Sequence, residues 1–265
     1  MFNEIEKIAV AAGKVMLEAV NIEEYVSEKS SNSDIVTEYD VKIQNMIFEN
    51  LRKLCPDAFF FGEEDSSAEA KRVICEKAFI VDPIDGTTNF VRNLRKSAVS
   101  IAYAESGEVV YACCYVPYAD ELFTAEKGKG AYLNGKRIVK PERSVKHSLV
   151  GFGTSPYMKD IYTDVTFSIA RTLFENTMDV RRVGSAVIDL LDVACGRLDI
   201  FYEMRLSPWD YAAASLIASE AGATVTSMGG EKLVPDRKRS VLAASKSCRD
   251  FFDSNPEIQK YKELF

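Results

Sequence analysis

One stretch of the chain holds the residue types best suited to chemistry, Asp82-Pro83-Ile84-Asp85-Gly86-Thr87-Thr88-Asn89-Phe90. Asp82 and Asp85 stand on either side of a proline after an apolar run, so both can turn toward one point. Gly86 lets the backbone approach a ligand, and Thr87 and Thr88 offer hydroxyls and amides where a helical turn begins and an anion is favoured. Carboxylates beside an anion site repel a phosphate unless a cation lies between them, which indicates a divalent metal. A simple Asx-type turn is the alternative.

Three further acidic positions could join these carboxylates. Glu63 begins an acidic triplet after an aromatic, strand-like run. Asp210 stands in the first turn of an expected helix, and Asp40 occupies the same position in another. Taken singly, a loop explains Glu63 and helix capping explains Asp40 and Asp210. Their chemistry therefore has to be judged as a set.

The composition describes a globular protein without a polyanionic partner. Of 265 residues, 47% are apolar and 28% are charged, which provides a buried core and excludes disorder. Lysine and arginine number 33 against 40 acidic residues, a net charge of −7 that argues against nucleic acid or a membrane surface as the partner. The first twenty residues are amphipathic and charged, so we expect a cytoplasmic protein.

Cysteine and histidine usage excludes several catalytic designs. Six cysteines are scattered without CxxC spacing, as in a reduced protein, and His147 is the single histidine. A zinc cage or a nucleophile–histidine relay would have to work through that one residue. The segment 130–136 has the glycine and lysine spacing of a P-loop, but Arg137 follows where magnesium binding needs Ser or Thr.

Hydrophobic periodicity predicts helices in front of a sheet in the first part of the chain. An amphipathic helix covers residues 5–19, a polar loop covers 27–34, and a capped helix begins near Thr37. A short buried strand, 78–81, ends at Asp82-Pro83 because proline cannot continue a central strand.

The second part of the chain has a different character. Antiparallel hairpins fill residues 98–132, and a polar, proline-bearing stretch at 140–148 separates them from alternating strands and helices. We therefore expect an α+β half at 1–143, with the antiparallel sheet and most candidate metal ligands. An α/β half at 144–265 supplies Asp210 and the substrate-side residues.

The stretch 82–90 and the other acidic positions, considered together, resemble the pattern of a known enzyme family. From Lys29 to about Gly222 the chain resembles the inositol monophosphatase family of magnesium-dependent, lithium-sensitive phosphatases. The matching elements are the stretch 82–90, Gly62-Glu63-Glu64, the segment 35–40, Trp209-Asp210, and Glu203 seven residues before Asp210. The resemblance implies an α+β fold, the layered α-β-α-β-α sandwich of that family.

The resemblance also implies a site for two or three Mg²⁺ ions. Matching positions assign Glu63, Asp82 and the carbonyl of Ile84 to one ion. They assign Asp82, Asp85 and Asp210 to a second, and some relatives hold a third near Glu63. The residue chemistry agrees, because carboxylates gathered in one cleft are costly unless cations neutralise them. Oxygen ligands select a hard ion, so Mg²⁺ is favoured, Mn²⁺ is acceptable and Zn²⁺ is not expected.

The reaction that the resemblance implies is hydrolysis of a phosphate monoester by a metal-activated water, without a phospho-enzyme. It assigns Asp40 and Thr87 to orienting and activating the water, with Glu63 close by as a further catalytic residue. The backbone amides of Gly86, Thr87 and Thr88 would hold the phosphate.

The substrate contacts that the resemblance implies are Asp85, Gly184, Ser185, Ala186, Glu203 and Asp210. A carboxylate accepts hydrogen bonds from adjacent hydroxyls, which suits a polyol such as inositol. Arg181, Arg182 and Arg205 stand near the expected rim, so a substrate with a second phosphate also fits. Fructose 1,6-bisphosphate, 3′-phosphoadenosine 5′-phosphate, histidinol phosphate and the 2′-phosphate of NADP are substrates of the family that the metal core does not separate.

The remaining expectations concern assembly and regulation. Lys29 matches a lysine of the family's mobile loop, with a solvated surface charge as the alternative. Family habit implies a homodimer that acts on a small phosphorylated metabolite. A catalytically silent regulatory binding module on the same scaffold is the alternative class, although every metal ligand is present. The stretch 227–230 departs from relatives that carry an Asp-bearing turn there.

Overall fold

The computed structural model describes residues 1–20, 22, 26–31, 34–65, 73 and 77–265. Its helices are α1 Phe2–Leu17, α2 Glu38–Leu54, α3 Thr87–Val91, α4 Lys159–Asn176, α5 Ala186–Ala194, α6 Pro208–Glu220, α7 Lys246–Ser254 and α8 Pro256–Gln259. The strands of the first part are β1 Val26–Ser31, β2 Asp34–Thr37, β3 Phe59–Gly62, β4 Lys77–Asp85, β5 Ala98–Glu105, β6 Glu108–Val116, β7 Glu121–Glu126, β8 Gly130–Leu133 and β9 Lys136–Ile138. Those of the second are β10 Leu149–Phe152, β11 Asp179–Arg181, β12 Ile200–Leu206, β13 Thr224–Thr226 and β14 Arg239–Ala244.

Two large sheets organise the described residues. A seven-stranded sheet runs in chain order from β3 to β9, with β3 and β4 parallel and the later neighbours antiparallel. A five-stranded sheet has the order β11-β10-β12-β14-β13, with β10 parallel to both of its neighbours. A small hairpin of β1 and β2 leads into α2.

Alternating side chains stack these sheets between helices. On β4, Phe79 and Val81 pack with α1 and α2, whereas Ala78 and Ile80 face α5 and α6 on the other side. On β12, Phe201 joins the same α5–α6 layer, and its neighbours in the strand pack toward α4 and α7. The order helix, sheet, helix, sheet, helix confirms the expected layered α+β fold.

Two segments differ from the sequence-based expectation. The expected loop at 27–34 pairs as the β1–β2 hairpin, with Val26 opposite Thr37. Its serine-rich strands lack the apolar alternation that would have predicted them. Strand β4 does not end at Asp82-Pro83 but continues to Asp85, with a register shift against β5 between Asp82 and Asp85. Proline is tolerated because this bulge interrupts the ladder.

Other sequence features have clear outcomes. Helix α2 begins after Thr37, whose hydroxyl accepts hydrogen bonds from the first-turn amides, as expected from the capping pattern. Five cysteines of the described residues are free, and Cys75 lies outside those residues. Among the helices described, none is long and apolar enough to cross a membrane.

Candidate active site

A cavity of about 620 Å³ opens between the two sheets. Its walls come from the end of β4, from α3, and from the beginnings of α5 and α6, with β12 on the far side. The carboxylates among its lining residues are Glu63, Asp82, Asp85, Asp189, Glu203 and Asp210. Cavities of this size are typical of small-molecule sites.

The bulge in β4 directs Asp82 and Asp85 into this cavity. The backbone N–H of Ile84 donates to Oδ1 of Asp82 over 3.0 Å, which fixes that carboxyl against its own strand. The carbonyl of Ile84 accepts a hydrogen bond from the hydroxyl of Thr87 over 3.1 Å and so points toward the same turn. Asp82 and Asp85 are both buried.

Helix α5 fixes Asp85 from the second sheet's side. The N–H of Val187 donates to Oδ2 of Asp85 over 3.0 Å, and the hydroxyl of Ser185 donates to the same oxygen. Ser185 also caps α5, because its Oγ accepts from the N–H of Ile188. The positive end of the helix thus faces the carboxylate.

Asp210 enters the cavity from the first turn of α6. Its Oδ2 accepts a hydrogen bond from the N–H of Ser207 over 2.7 Å in a capping box. The neighbouring Trp209 packs edge-on against Phe61 of β3, with ring centres 5.4 Å apart, and so fixes the helix start on the seven-stranded sheet. The residues that cap α6 therefore also hold Asp210 at the cavity wall.

Glu63 follows β3 at the same wall. The amide of Glu64 donates to Oε1 of Gln44 over 3.0 Å, which ties this acidic turn to α2. A Cβ on Gly62 would lie 2.2 Å from that oxygen, so glycine permits the close approach of Gln44.

Three of these carboxylates form a compact cluster. Oxygens of Asp82, Asp85 and Asp210 lie within 4.8 Å of one another. Burial raises the pKa of Asp82 and Asp210 well above the ordinary range, and the charges of Glu63 and Asp85 add to the effect. Burial also raises the pKa of Asp85 to about 7, although its hydrogen bonds to Ser185 and Val187 oppose the shift. Such a cluster, made of oxygen donors alone, fits a hard divalent cation.

Asp40 and Thr87 form a hydrogen-bonded pair beside the cluster. The hydroxyl oxygen of Thr87 lies 3.2 Å from Oδ1 of Asp40, to which it can donate a hydrogen bond. The other oxygen of Asp40 accepts from the amide and hydroxyl of Thr37 at 2.8 and 2.5 Å, so the capping box of α2 holds the carboxylate rigidly. Asp40 is fully buried.

Gly86 and the first turn of α3 lie at the cavity wall. Gly86 has φ +84°, and a Cβ there would lie 2.9 Å from the carbonyl oxygen of Lys96, so the position favours glycine. Thr87 begins α3, as the sequence indicated, and both Thr87 and Thr88 line the cavity. The first amides of a helix lack intrahelical partners.

Glu203 lies across the cavity on β12 and is held by a strained residue. Ser155, with φ 42°, donates its N–H to Oε1 of Glu203 over 2.8 Å. A Cβ on Gly153 would lie 1.9 Å from Oε2, so only glycine leaves room for this carboxyl. Burial raises the pKa of Glu203 to about 7, against the lowering effect of Ser155 and Arg182.

The structure adds residues that the sequence-based reasoning missed. Asp189 of α5 is buried at the cavity wall, and within the described residues its Oδ1 has no hydrogen-bond partner. Burial raises its pKa well above the ordinary value. The signal in the sequence is a lone carboxyl within the apolar run of α5. Ser155 was also missed, since its role depends on backbone conformation.

Of the other residues expected to contact the substrate or to lie near the rim, some line the cavity and others do not. Gly184, Ser185 and Ala186 line the cavity together with Arg182 and Arg205. Arg181 is not among the lining residues and instead pairs with Asp179. The backbone of Lys29 lies in β1, and its side chain lies outside the described part of the structure.

Comparison with known proteins agrees with this architecture. The family model described as the inositol monophosphatase family matches residues 1–256, and the chain belongs to that family. It is 36% identical over 232 residues to "Nus factor SuhB" of Vibrio cholerae, covering 87% of this chain and 86% of the relative. It is 37% identical over 207 residues to "Fructose-1,6-bisphosphatase/inositol-1-monophosphatase" of Thermotoga maritima, covering 78% and 77%.

A solved structure supports the same assignment. The Thermotoga maritima IMPase superimposes with a TM-score of 0.83 at 30% identity, covering 97% of this chain and 95% of that one. Family, fold and site together define a phosphoric monoester hydrolase of the metal-dependent phosphatase type, with an acidic cluster suited to a metal ion.

Proposed function

We propose that the protein hydrolyses a small phosphate monoester of the inositol monophosphate type in a Mg²⁺-dependent reaction. The observation that carries this proposal is one cavity lined by Asp82, Asp85 and Asp210 together with Gly86 and Thr87, and the hydroxyl of Thr87 is hydrogen-bonded to the fully buried Asp40 behind the cavity wall. Phosphate, water and cation can therefore meet there.

The residues that would hold the cations are Glu63, Asp82, Asp85, Asp210 and the carbonyl of Ile84. When bound, Mg²⁺ supplies positive charge that neutralises phosphoryl oxygens and lowers the pKa of water. Mn²⁺ has similar ligand preferences. The raised pKa values of Asp82 and Asp210 reflect the burial and repulsion that a cation would relieve.

Thr87 and Asp40 orient the attacking water. The Thr87 hydroxyl has one proton for two acceptors, Asp40 and the carbonyl of Ile84. In this proposal the cation takes the Ile84 carbonyl, so the proton is donated to Asp40 and a lone pair of the hydroxyl oxygen accepts a hydrogen bond from water. As the water gives its proton to the oxygen of Thr87, Thr87 would pass its own proton to Oδ1 of Asp40, while the cap of α2 holds that carboxylate in position through Oδ2. Glu63 is a further catalytic residue at the same wall.

The phosphate lies on the amides of Gly86, Thr87 and Thr88 in this proposal. Those amides are presented by the glycine turn and the first turn of α3. On the alcohol side, Glu203 accepts hydrogen bonds from two neighbouring hydroxyls, while Ser155 holds its carboxylate still. The other contacts proposed for the alcohol are Asp85, Gly184, Ser185, Ala186 and Asp210.

Several finer points remain part of the proposal. Lithium inhibition, a homodimer and a cytoplasmic location follow from the family and the composition. The division into halves at 1–143 and 144–265 and the closing role of Lys29 are proposals of the same kind.

An assay of phosphate release tests the proposal. Inositol 1-phosphate, fructose 1,6-bisphosphate, 3′-phosphoadenosine 5′-phosphate and NADP are each supplied with Mg²⁺ or with a chelator. We expect Mg²⁺-dependent release, and a loss of roughly a hundredfold or more in Asp85→Asn. Asp253→Asn, an exposed change on α7, is the control. Release that persists with chelator, or in Asp85→Asn, would contradict the proposal.

A second candidate is a Nus-factor role, as in the name of the Vibrio cholerae relative. The observation that favours it is identity over most of both chains. Absence of phosphate release from every substrate above would favour this role over catalysis.

A further inference from the structure

One carboxyl at the cavity wall is buried without a partner in the protein. Asp189 of α5 is 1% exposed and is one of the residues that line the cavity. Within the described residues, its Oδ1 is enclosed and makes no hydrogen bond. Buried polar atoms without a partner are rare in folded proteins because they destabilise the fold. A ligand that enters the cavity can supply the missing partner.

Two glycines place Asp189 next to Glu203. Gly151 lies in β10, and Gly153 continues that strand, because its N–H donates to the carbonyl of Tyr202 of β12 over 2.9 Å. Residues two apart on a strand face the same side of the sheet and are separated by roughly 6.6 Å. Oδ1 of Asp189 lies 3.0 Å from the position that a Cβ of Gly151 would take, and the carboxyl of Glu203 fills the equivalent position over Gly153. The two carboxyls therefore lie side by side on one face of β10, within reach of a single polyol.

The surroundings of Asp189 favour its protonated form. Burial raises the pKa of Asp189 well above its usual value. Among the neighbouring charges, Arg182 opposes this shift, and three carboxylates add to it, those of Asp192, Glu203 and Asp85. A protonated carboxyl donates through its hydroxyl and accepts through its carbonyl oxygen, as an amide does with its N–H and carbonyl groups. In that form Asp189 suits a neutral hydroxyl better than a cation.

We propose that Asp189 is a specificity residue of the alcohol site, where its carboxyl binds a further hydroxyl of a polyol substrate, beyond those that Glu203 binds. This inference rests on the proposed function and deepens it, because it requires several hydroxyls on the alcohol part of the substrate. An alcohol that lacks them would leave the Asp189 carboxyl unpartnered. A site built to hydrogen-bond a hydroxyl rejects the analogue without it. The preferred substrates are therefore phosphates of polyols rather than of simple alcohols.

The test compares a polyol phosphate with a matched ester that has no free hydroxyl. Wild-type protein, Asp189→Leu, Asp189→Ala and Asp189→Asn are assayed at saturating Mg²⁺ for phosphate release from inositol 1-phosphate and from cyclohexyl phosphate. Leucine and alanine remove the polar atoms with and without bulk, whereas asparagine keeps a donor and an acceptor in the same shape.

The matched control is Asp192→Leu, on the same helix. Asp192 follows Asp189 by three positions, pairs with Arg197 and is not among the described residues that line the cavity. Thermal unfolding of every variant separates a role in binding from a role in the fold.

The measured quantity is the ratio of kcat/KM for inositol 1-phosphate to kcat/KM for cyclohexyl phosphate. We expect a wild-type ratio of at least roughly ten and a fall of about five- to tenfold in Asp189→Leu and Asp189→Ala, mainly through KM for inositol 1-phosphate. The ratio should stay within about twofold of wild type in Asp189→Asn and Asp192→Leu. The Tm should not fall in Asp189→Ala, because Oδ1 has no hydrogen bond to lose within the described part of the protein.

Three results would overturn the inference while leaving the proposed function intact. The first is a wild-type ratio near one, and the second is a ratio that both Asp189→Leu and Asp189→Ala leave unchanged. The third is a ratio that falls as far in Asp189→Asn as in those two variants, together with a lower Tm, as a structural role would produce. Release of phosphate from neither ester would contradict the proposed function and the inference together.

Discussion

Oδ2 of Asp85 accepts a hydrogen bond from the backbone N–H of Val187 over 3.0 Å, although the two residues are 102 positions apart in the chain. Asp85 ends a strand of the seven-stranded sheet, and Val187 lies in the first turn of α5, which packs between the sheets. A carboxylate of the cluster thus also completes the N-terminus of a helix. The orientation of Asp85 therefore depends on how α5 is capped.

Removing the Ser185 hydroxyl tests this dependence. In Ser185→Ala, Asp85 loses one donor and α5 loses its capping oxygen. We expect the Mg²⁺ concentration for half-maximal activity to rise several-fold, and the free energy of unfolding to fall by about 1 kcal/mol. Mg²⁺ titrations and thermal unfolding measure the two effects.

Two controls separate capping from the site. Ser185→Thr keeps a hydroxyl and should stay close to wild type. Ser245 caps α7 in the same way, because its Oγ accepts a hydrogen bond from the backbone N–H of Cys248. Ser245→Ala should therefore lower the free energy of unfolding and leave the Mg²⁺ requirement unchanged. An equal Mg²⁺ requirement in Ser185→Ala and Ser245→Ala would contradict a role for the Ser185 hydroxyl in orienting Asp85.

The Asp40–Thr87 pair makes a kinetic prediction. Thr87→Val keeps the side-chain shape but removes the hydroxyl that links Asp40 to the water, so kcat should fall by about a hundredfold or more. Thr87→Ser restores the hydroxyl and should recover most of the rate. Adding Asp40→Asn to Thr87→Val should cost little more, because the two residues act as a unit. A near wild-type kcat in Thr87→Val would refute the role.

Glu203 gives a prediction about pH. Burial raises its pKa from 4.5 to about 7 in the folded protein. Between these values the folded state keeps a proton that the unfolded chain has released. The stability that protonated Glu203 contributes is thus complete below pH 4.5, the pKa in the unfolded chain, and is lost as the pH rises through about 7, the pKa in the folded protein. The glutamine of Glu203→Gln does not titrate. In metal-free protein, the Tm of this variant minus the Tm of wild type should therefore increase by a few degrees between about pH 5 and about pH 8.

Differential scanning fluorimetry of chelated protein measures that difference. Glu175→Gln, an exposed change on α4, is the control and should show no such trend with pH. A Tm difference between Glu203→Gln and wild type that stays constant across this range would contradict the assigned burial of the charge.

Gly153 tests the fit of Glu203. A Cβ there would lie 2.1 Å from Cδ of Glu203 and would push the carboxylate away from the amide of Ser155. In Gly153→Ala we expect KM for inositol 1-phosphate to rise several-fold, with a smaller change in kcat. Gly229→Ala is the matched control, because the nearest atom to its Cβ lies at 3.7 Å. An unchanged KM in Gly153→Ala would argue against Glu203 as a substrate contact.

Local signals explain what the sequence could predict. The cap at Thr37, the Ser207-Pro208 start of α6 and the turn at Gly86 depend on neighbours in the chain, and the structure has each of them. The family resemblance then predicted that distant carboxylates converge, and Asp82, Asp85 and Asp210 do lie together. Their roles as ligands stay predictions.

Tertiary contacts explain what the sequence could not predict. The continuation of β4 past Pro83 depends on a bulge against β5, and the link between Asp85 and Val187 depends on docking of α5. Ser155 has no motif, because its importance comes from a left-handed backbone conformation that aims an amide at Glu203. Such features arise from packing between elements that are far apart in the chain.

The proposed function depends on Asp82, Asp85 and Asp210 holding a divalent cation together. Crystals of the protein grown with Mn²⁺ and measured near the manganese absorption edge test it directly, since anomalous scattering locates the ion independently of activity. We predict anomalous peaks at about 2.0–2.3 Å from oxygens of all three carboxylates, and their loss in Asp82→Asn. A map from crystals at saturating Mn²⁺ without a peak at this cluster would contradict the account.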